Sequence, residues 1–142
     1  MYAKIIDNVC KVFPAAKSSV LKDNPNVSFP SELTDELLAQ YNLFPVVATT
    51  PPDFDNDIQY VTRTAENIDG VWTEVHTVVN VPEDQAAGRI RDIRNDLLAE
   101  SDWTQLADSS AETSPWSVYR QALRDVPAQS GFPFNVTWPT KP

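Results

Sequence analysis

The spacing of the hydrophobic residues changes once along this chain, at Asn80-Val81-Pro82. Before that point, residues 71–79 carry a valine or threonine at every second position, which is the two-residue period of a strand. After it, apolar residues recur at intervals of three and four over residues 86–97, which is the period of one helix face. The sequence therefore predicts an α+β protein. We expect a small mixed, β-rich N-terminal domain at residues 1–81, then a C-terminal helical hairpin with an irregular tail at residues 82–142.

Proline is unusually frequent relative to glycine, with 12 residues against 3, which indicates stiff connections. We expect Pro82 and Pro115 in the first turns of two helices, where the N–H that proline lacks would have no partner. Ser114 would cap the second helix. The prolines between residues 127 and 142 would keep the tail extended, and an extended segment loses little entropy when it docks on a partner.

Two hairpins are predicted in the β-rich half. The first joins strands at residues 2–7 and 8–13 through Asp7-Asn8. We expect Pro14 to end its second strand, because proline cannot donate to a strand ladder.

The second hairpin joins residues 58–64 to residues 71–79, and its connection ends in the turn signal Asp69-Gly70. We expect the valine and threonine side chains of its second strand to pack on the core. Trp72 and His76 would then lie on the opposite, more exposed face.

The composition excludes several classes of function. One cysteine and one histidine cannot form an internal disulfide, a cysteine-rich zinc site or a two-histidine metal site. With 20 acidic against 11 basic residues, the chain lacks the basic surface of a nucleic-acid binder. Its three glycines are too scattered to form a phosphate-binding loop, so no cofactor is predicted. Apolar runs far shorter than about 20 residues, and an N-terminus without an apolar signal core, predict a cytoplasmic protein.

Two groups of acidic residues resemble chemical sites. Residues 53–57 carry aspartate at alternate positions, as a calcium loop does, but Ile58 and Thr64 stand where that loop needs glycine and glutamate. Glu100 and Asp102 flank the end of a helix beside Trp103, an arrangement similar to paired carboxylates beside a sugar-stacking ring in a glycosidase. We interpret the first group as a solvated loop and the second as a helix end. No catalytic residue and no metal ligand is therefore predicted.

The most specific pattern in the chain begins at Arg94 as R-x-x-L-L-x-x-S-D-W-T-Q-L. It continues from Trp116 as W-x-x-Y-R-Q-x-L-R-D and closes from Phe132 as F-P-x-x-x-x-W-P. This order of residues, over residues 89–139, resembles the C-terminal region of the tail assembly chaperones of tailed bacteriophages, in particular those associated with tail fibres.

The resemblance implies a non-enzymatic chaperone that binds a phage tail fibre protein and assists its folding and trimerisation. It implies action in the host cytoplasm during infection, absence from the mature virion, and a complex of three chaperones with three fibre chains. A structural tail fibre or baseplate adaptor that stays on the virion is the open alternative, because the same aromatic surfaces would then be permanent interfaces.

Six residues are candidates for partner binding. Four lie within the shared pattern, where we expect the two helices to meet, and two lie in the β-rich half, outside that pattern. The candidates are Tyr60, Trp72, Trp103, Trp116, Tyr119 and Arg120.

Overall fold

The computed structural model describes all 142 residues, and they form two compact units. The first unit comprises Met1–Asp53 and Val61–Val78, and the second comprises Phe54–Tyr60 and Val79–Pro142. Strands dominate the first unit and helices the second, which confirms the α+β class. The domain boundary at residue 81 stays a prediction, because a spatial division does not show which segment folds on its own.

Three strands form a sheet in the first unit, in the order β2-β1-β3. They are β1 (Tyr2–Ile6), β2 (Val9–Ala15) and β3 (Leu43–Pro45), and both neighbours of β1 run antiparallel to it. Asp7 and Asn8 join β1 to β2 with φ angles of 51° and 61°. Two successive positive φ angles match the twist of the flanking strands, so the chain reverses in two residues.

Pro14 lies inside β2, so the expectation that it ends the strand is wrong. β2 is an edge strand of its sheet, and a proline is tolerated there because its missing donor can lie on the unpaired side. The pairing with β1 is irregular along this stretch, with register shifts between Tyr2 and Ile5.

Two short helices pack against this sheet, α1 (Ser19–Asp23) and α2 (Asp35–Gln40). Thr34 caps α2, and its Oγ1 accepts a hydrogen bond from the backbone N–H of Leu37 at 3.4 Å. Both helices and β3 contribute to one buried cluster, formed by Val20, Leu38 and Leu43.

The second hairpin consists of β4 (Gln59–Ile68) and β5 (Val71–Asn80). Its strands are longer than expected, because the connection uses only Asp69 and Gly70, with φ angles of 52° and 85°. The side chain of Asn67 supports this turn by accepting a hydrogen bond from the N–H of Gly70 at 2.9 Å.

The expected assignment of the two faces of β5 is wrong. Glu74 is 4% exposed and the His76 side chain 10% exposed, whereas Val71 is 51% exposed. The alternation defines two faces, but the neighbouring segment decides which one is buried. Here Thr49 bonds to Glu74 through its N–H at 3.2 Å and its hydroxyl at 2.8 Å, which covers the polar face.

The second unit contains the two long helices, α3 (Glu83–Glu100) and α4 (Thr113–Asp125). Pro82 directly precedes α3 and Pro115 lies in the first turn of α4, as expected, although α4 begins one residue before Ser114. Short 3₁₀ turns follow each helix. No helix of the chain has the length and apolarity that crossing a membrane requires.

The core of the second unit brings together three segments that are distant in sequence. Its buried residues are Ile58, Val81, Ala86, Ile90 and Val126. Phe132, Phe134 and Trp138 of the tail pack against this core. The tail therefore packs within the second unit. The expectation of an extended segment that lies along a partner is wrong for these aromatic residues.

Two glycines predict opposite effects of the same substitution. Gly70→Ala places a side chain at a φ of 85°, and we expect the free energy of unfolding to fall by about 1–2 kcal/mol. Gly88→Ala adds a methyl group within α3 where no atom lies within 4 Å, and we expect a gain of about 0.5–1 kcal/mol. Urea unfolding measures both. A loss of stability at Gly88 as large as at Gly70 would contradict the assigned backbone.

Candidate functional site

The C-terminal end of α3 turns sharply at Ser101. Its hydroxyl lies 3.0 Å from the carbonyl oxygen of Leu97 and 2.9 Å from that of Leu98, so it bonds back onto the last helical turn. Thr104, in the 3₁₀ turn Asp102–Gln105, donates its hydroxyl to the Ser101 carbonyl at 2.7 Å. Ser101 is fully buried and Thr104 is 3% exposed, so this polar turn is enclosed by the second unit.

Arg120 of α4 completes the hydrogen bonds at this helix end. Its Nη1 donates to the Leu98 carbonyl and to Ser101 Oγ, each at 2.7 Å, and its Nη2 donates to Asp102 Oδ1 at 2.8 Å. The last carbonyl groups of a helix lack partners within it and carry partial negative charge, so a cation is stabilised there. Arg120 is 8% exposed, and its Nε is buried without a partner.

Three aromatic rings lie beside this junction in a series of edge-to-face contacts. The Trp103 and Trp116 ring centroids are 5.8 Å apart, and Trp116 and Tyr119 are also 5.8 Å apart. Tyr119 is 5% exposed and Trp103 is 49% exposed, so the series runs from the interior to the surface. Leu106, which is 61% exposed, follows Trp103 by one turn. We call the exposed part, Trp103 and Leu106, the junction patch.

The two carboxylates that precede Trp103 each have a cationic partner. Asp102 is bonded to Arg120, as above, and Glu100 Oε2 lies 3.6 Å from Lys141 Nζ. Lys141 also stands over the Trp116 ring at 6.0 Å from its centroid. This arrangement gives both carboxylates a structural use at the helix end.

The two other candidates lie apart from the junction. Trp72 belongs to the first unit, where it packs half-buried on the cluster of Ala3, Ile5, Val46 and Ala65. Its ring centroid is 6.2 Å from that of Phe44. Tyr60 belongs to the second unit and is 46% exposed near the start of β4. The structure thus brings four candidates together, and the role of all six in partner binding stays a prediction.

Sequence reasoning missed a buried polar cluster in the first unit. Glu74 accepts from the Thr49 N–H, and its other oxygen lies 3.6 Å from Arg63 Nη1. His76 Nε2 is 3.7 Å from Glu74 and 3.3 Å from the Thr49 carbonyl oxygen, while its Nδ1 is buried without a partner. No local sequence pattern predicts this cluster, because Thr49 is 25 residues from Glu74.

The acidic loop at residues 53–57 closes on itself and on α3. Asp55 Oδ1 accepts from the Asp57 N–H at 2.9 Å, and the Asp57 carbonyl accepts from Arg89 Nη1 at 3.0 Å. Ile58, where a calcium loop needs glycine, is buried in the core of the second unit. The loop is thus bonded to α3 within the second unit.

Comparison with known proteins supplies one family. Residues 87–142 match the family model described as phage tail assembly chaperone protein. No curated protein and no solved structure matches the chain. The matched region contains the helix junction, Arg120 and the packed tail, and the match confirms the resemblance seen in the sequence.

We expect the two arginines of α4, Arg120 and Arg124, to differ greatly in their contribution to the free energy of unfolding. In Arg120→Met, the α3 carbonyl and Ser101 lose a charged donor, and we expect the free energy of unfolding to fall by about 2–3 kcal/mol. The matched control is Arg124→Met, at an exposed position of the same helix, where we expect a change of less than about 0.5 kcal/mol. Urea denaturation of both variants checks this. Equal stabilities would show that the buried guanidinium contributes nothing.

Proposed function

We propose that this chain, which residues 87–142 identify as a phage tail assembly chaperone, binds a tail fibre protein without catalysing a reaction and assists its folding and trimerisation. The family match carries the coarser statement, that of a chaperone in phage tail assembly. The fibre as client, three chaperone chains on three fibre chains, and action in the host cytoplasm without retention in the virion belong to the proposal.

The division of the shared sequence pattern into buried and exposed residues supports this proposal. Ser101, Tyr119, Arg120 and Leu123 are buried and hold the helix junction together. Trp103 belongs to the same pattern but is half exposed. Large exposed aromatic side chains are frequent anchors of protein–protein interfaces. The pattern therefore combines a rigid frame with an apolar surface that a client can cover.

The chemistry of an unassembled fibre explains what such a surface would do. Before trimerisation, a fibre chain exposes unpaired strand edges and apolar side chains, and both promote aggregation. A partner that covers these edges and side chains reversibly keeps the fibre chain from aggregating. The other two fibre chains then cover the same surfaces in the trimer. The formal charge of -9 keeps the chaperone and its complex away from neutrality, where association is fastest.

Co-expression tests the client. The tail fibre gene beside this one is expressed alone and with the chaperone, and the soluble fibre trimer is quantified by size-exclusion chromatography with light scattering. We expect soluble trimer only, or mainly, with the chaperone. A fibre that is equally soluble and trimeric alone would refute the proposal.

The junction patch predicts a binding defect without a folding defect. Trp103→Ala removes an exposed aromatic anchor, and we expect fibre binding to weaken about 30-fold, which corresponds to about 2 kcal/mol. Val118→Ala, at a 68% exposed position of α4, is the control and should bind as the wild type does. Calorimetric titration measures both, after thermal melts confirm folding. Unchanged affinity in Trp103→Ala would exclude the patch from the interface.

Whether this chain stays on the mature virion distinguishes the chaperone hypothesis from the adaptor hypothesis. We expect mass spectrometry of purified virions to find at most traces of this chain, because a chaperone leaves once the fibre is assembled. A stoichiometric amount would favour the tail fibre or baseplate adaptor.

A further inference from the structure

The strands of the first unit continue from one sheet into the other through the segment 43–47. On one side this segment pairs with β1, with Tyr2 opposite Pro45 and the Val46 N–H donating to the Met1 carbonyl at 2.9 Å. On the other side Val47 pairs with β5, donating to the Trp72 carbonyl at 2.9 Å and accepting from the Glu74 N–H at 2.8 Å. The strand order is therefore β2-β1-β3-β5-β4.

The two outer strands of this series, β2 and β4, come back to face each other. They line one groove of about 330 Å³, which we call the seam groove. Val9 and Cys10 of β2 form one wall, residues 64–67 of β4 form the other, and Trp72 contributes from β5. A five-strand series whose outer strands share a groove is a barrel that is open along one seam.

One side-chain contact crosses the seam at the end away from the hairpin turns. Val47 runs antiparallel to β1 and parallel to β5, so β2 and β4 run in opposite directions along the seam. The Arg63 guanidinium lies over the Phe13 ring at 5.8 Å, which joins the two strands at one end. The groove opens at the other end, towards the hairpin turns.

Backbone groups in both walls have no partner in the sheets. Both hairpins use two-residue turns, so the residues that flank each turn form a hydrogen-bonded pair and alternate residues point their N–H and C=O outwards. On β2 this places the outward groups at Cys10, and on β4 at Ala65 and Asn67. All three residues line the groove, and neither β2 nor β4 has a second neighbouring strand.

The floor of the groove is apolar. Ala65 is 2% exposed and belongs to the buried cluster of this unit, on which Cys10 and Trp72 also pack. The rest of the lining is mixed, since Val9 is 51% exposed and the polar residues Asn8, Thr64, Glu66 and Asn67 also line the groove. Exposed strand edges in natural proteins are usually protected by charges, prolines or a covering element. Among the residues that line this groove, Glu66 is the only charged one.

We propose that the seam groove binds one extended strand of the client tail protein, which pairs its backbone with β4 and β2 and places an apolar side chain on Ala65 and Trp72. This inference rests on the proposed chaperone function and adds a second client-binding site to the junction patch. Only a polypeptide strand supplies donors and acceptors at the spacing of two facing edges. A second copy of this chain is a poorer occupant, because its connection between β3 and β4 carries Pro51-Pro52, and proline has no backbone N–H to donate.

Cys10 is a native reporter of this site, because it is the sole cysteine and lines the groove. The complex of wild-type chaperone with the co-expressed fibre protein is isolated, and the reaction of the chaperone thiol with a soluble disulfide reagent is followed by mass. We expect disulfide exchange at Cys10 to be at least ten-fold slower in the complex than in the free chaperone. An unchanged rate overturns the proposal.

A matched pair of labelled chaperones supplies the converse measurement. A bulky maleimide on Cys10 should weaken fibre binding at least ten-fold. The same label on the double variant Cys10→Ser, Val118→Cys should leave it unchanged, because residue 118 lies exposed on α4. Circular dichroism confirms that both labelled chains are folded. Binding that survives the label at Cys10 overturns the seam as the site.

The outcomes also separate this inference from the proposed function. A fibre that needs the chaperone for solubility while Cys10 keeps its full reactivity leaves the function standing and overturns the seam. A fibre that trimerises alone overturns both. Protection of Cys10 in the chaperone alone that increases with its concentration would assign the groove to a second copy, against the proposal.

Discussion

The guanidinium of Arg120 supplies hydrogen-bond donors where α3 has run out of them. A helix leaves its final carbonyl groups without internal partners, and burying them unpaired would cost more than a normal hydrogen bond contributes. Arg120 meets the Leu98 carbonyl, Ser101 and Asp102 at once. The sharp turn after α3 can therefore be buried, and α4 is held at a fixed place by the same three bonds. Trp103 and Trp116 take their positions from that turn.

The first unit leaves some of its backbone hydrogen-bonding groups without a partner. Its segment 43–47 satisfies backbone groups on both of its sides, and this double pairing makes one series of the two sheets. The outer strands β2 and β4 have only one neighbour each. On the proposal that the seam groove binds a client strand, the protein needs an unpaired edge that does not aggregate by itself. Two edges that face each other across a narrow groove meet this condition better than one open edge, because a flat second sheet cannot reach them.

Much of the fold could be predicted from the sequence because its signals are local. Asp7-Asn8 and Asp69-Gly70 mark turns through their tolerance of positive φ, Pro82 marks the start of α3, and the three-and-four spacing marks its buried face. The Arg120 pair with Asp102 joins two residues of the shared pattern that lie 18 residues apart. Errors arose where distant segments decide. Pro14 stays within a strand because β2 is an edge, and the tail aromatic residues are partly buried because they pack against the core of Ile58 and Val126.

By itself, the sequence determined the two hairpins with their turns, the two long helices, and which family residues 89–139 resemble. These properties depend on neighbours in sequence, through backbone preferences, hydrophobic period and the order of residues within one motif. Only the tertiary structure decided which face of β5 is buried, that Thr49 donates a hydrogen bond to Glu74, and that β2 faces β4 across a groove. Such features depend on contacts between segments tens of residues apart, and the two-residue period of a strand is the same whichever of its faces meets the core.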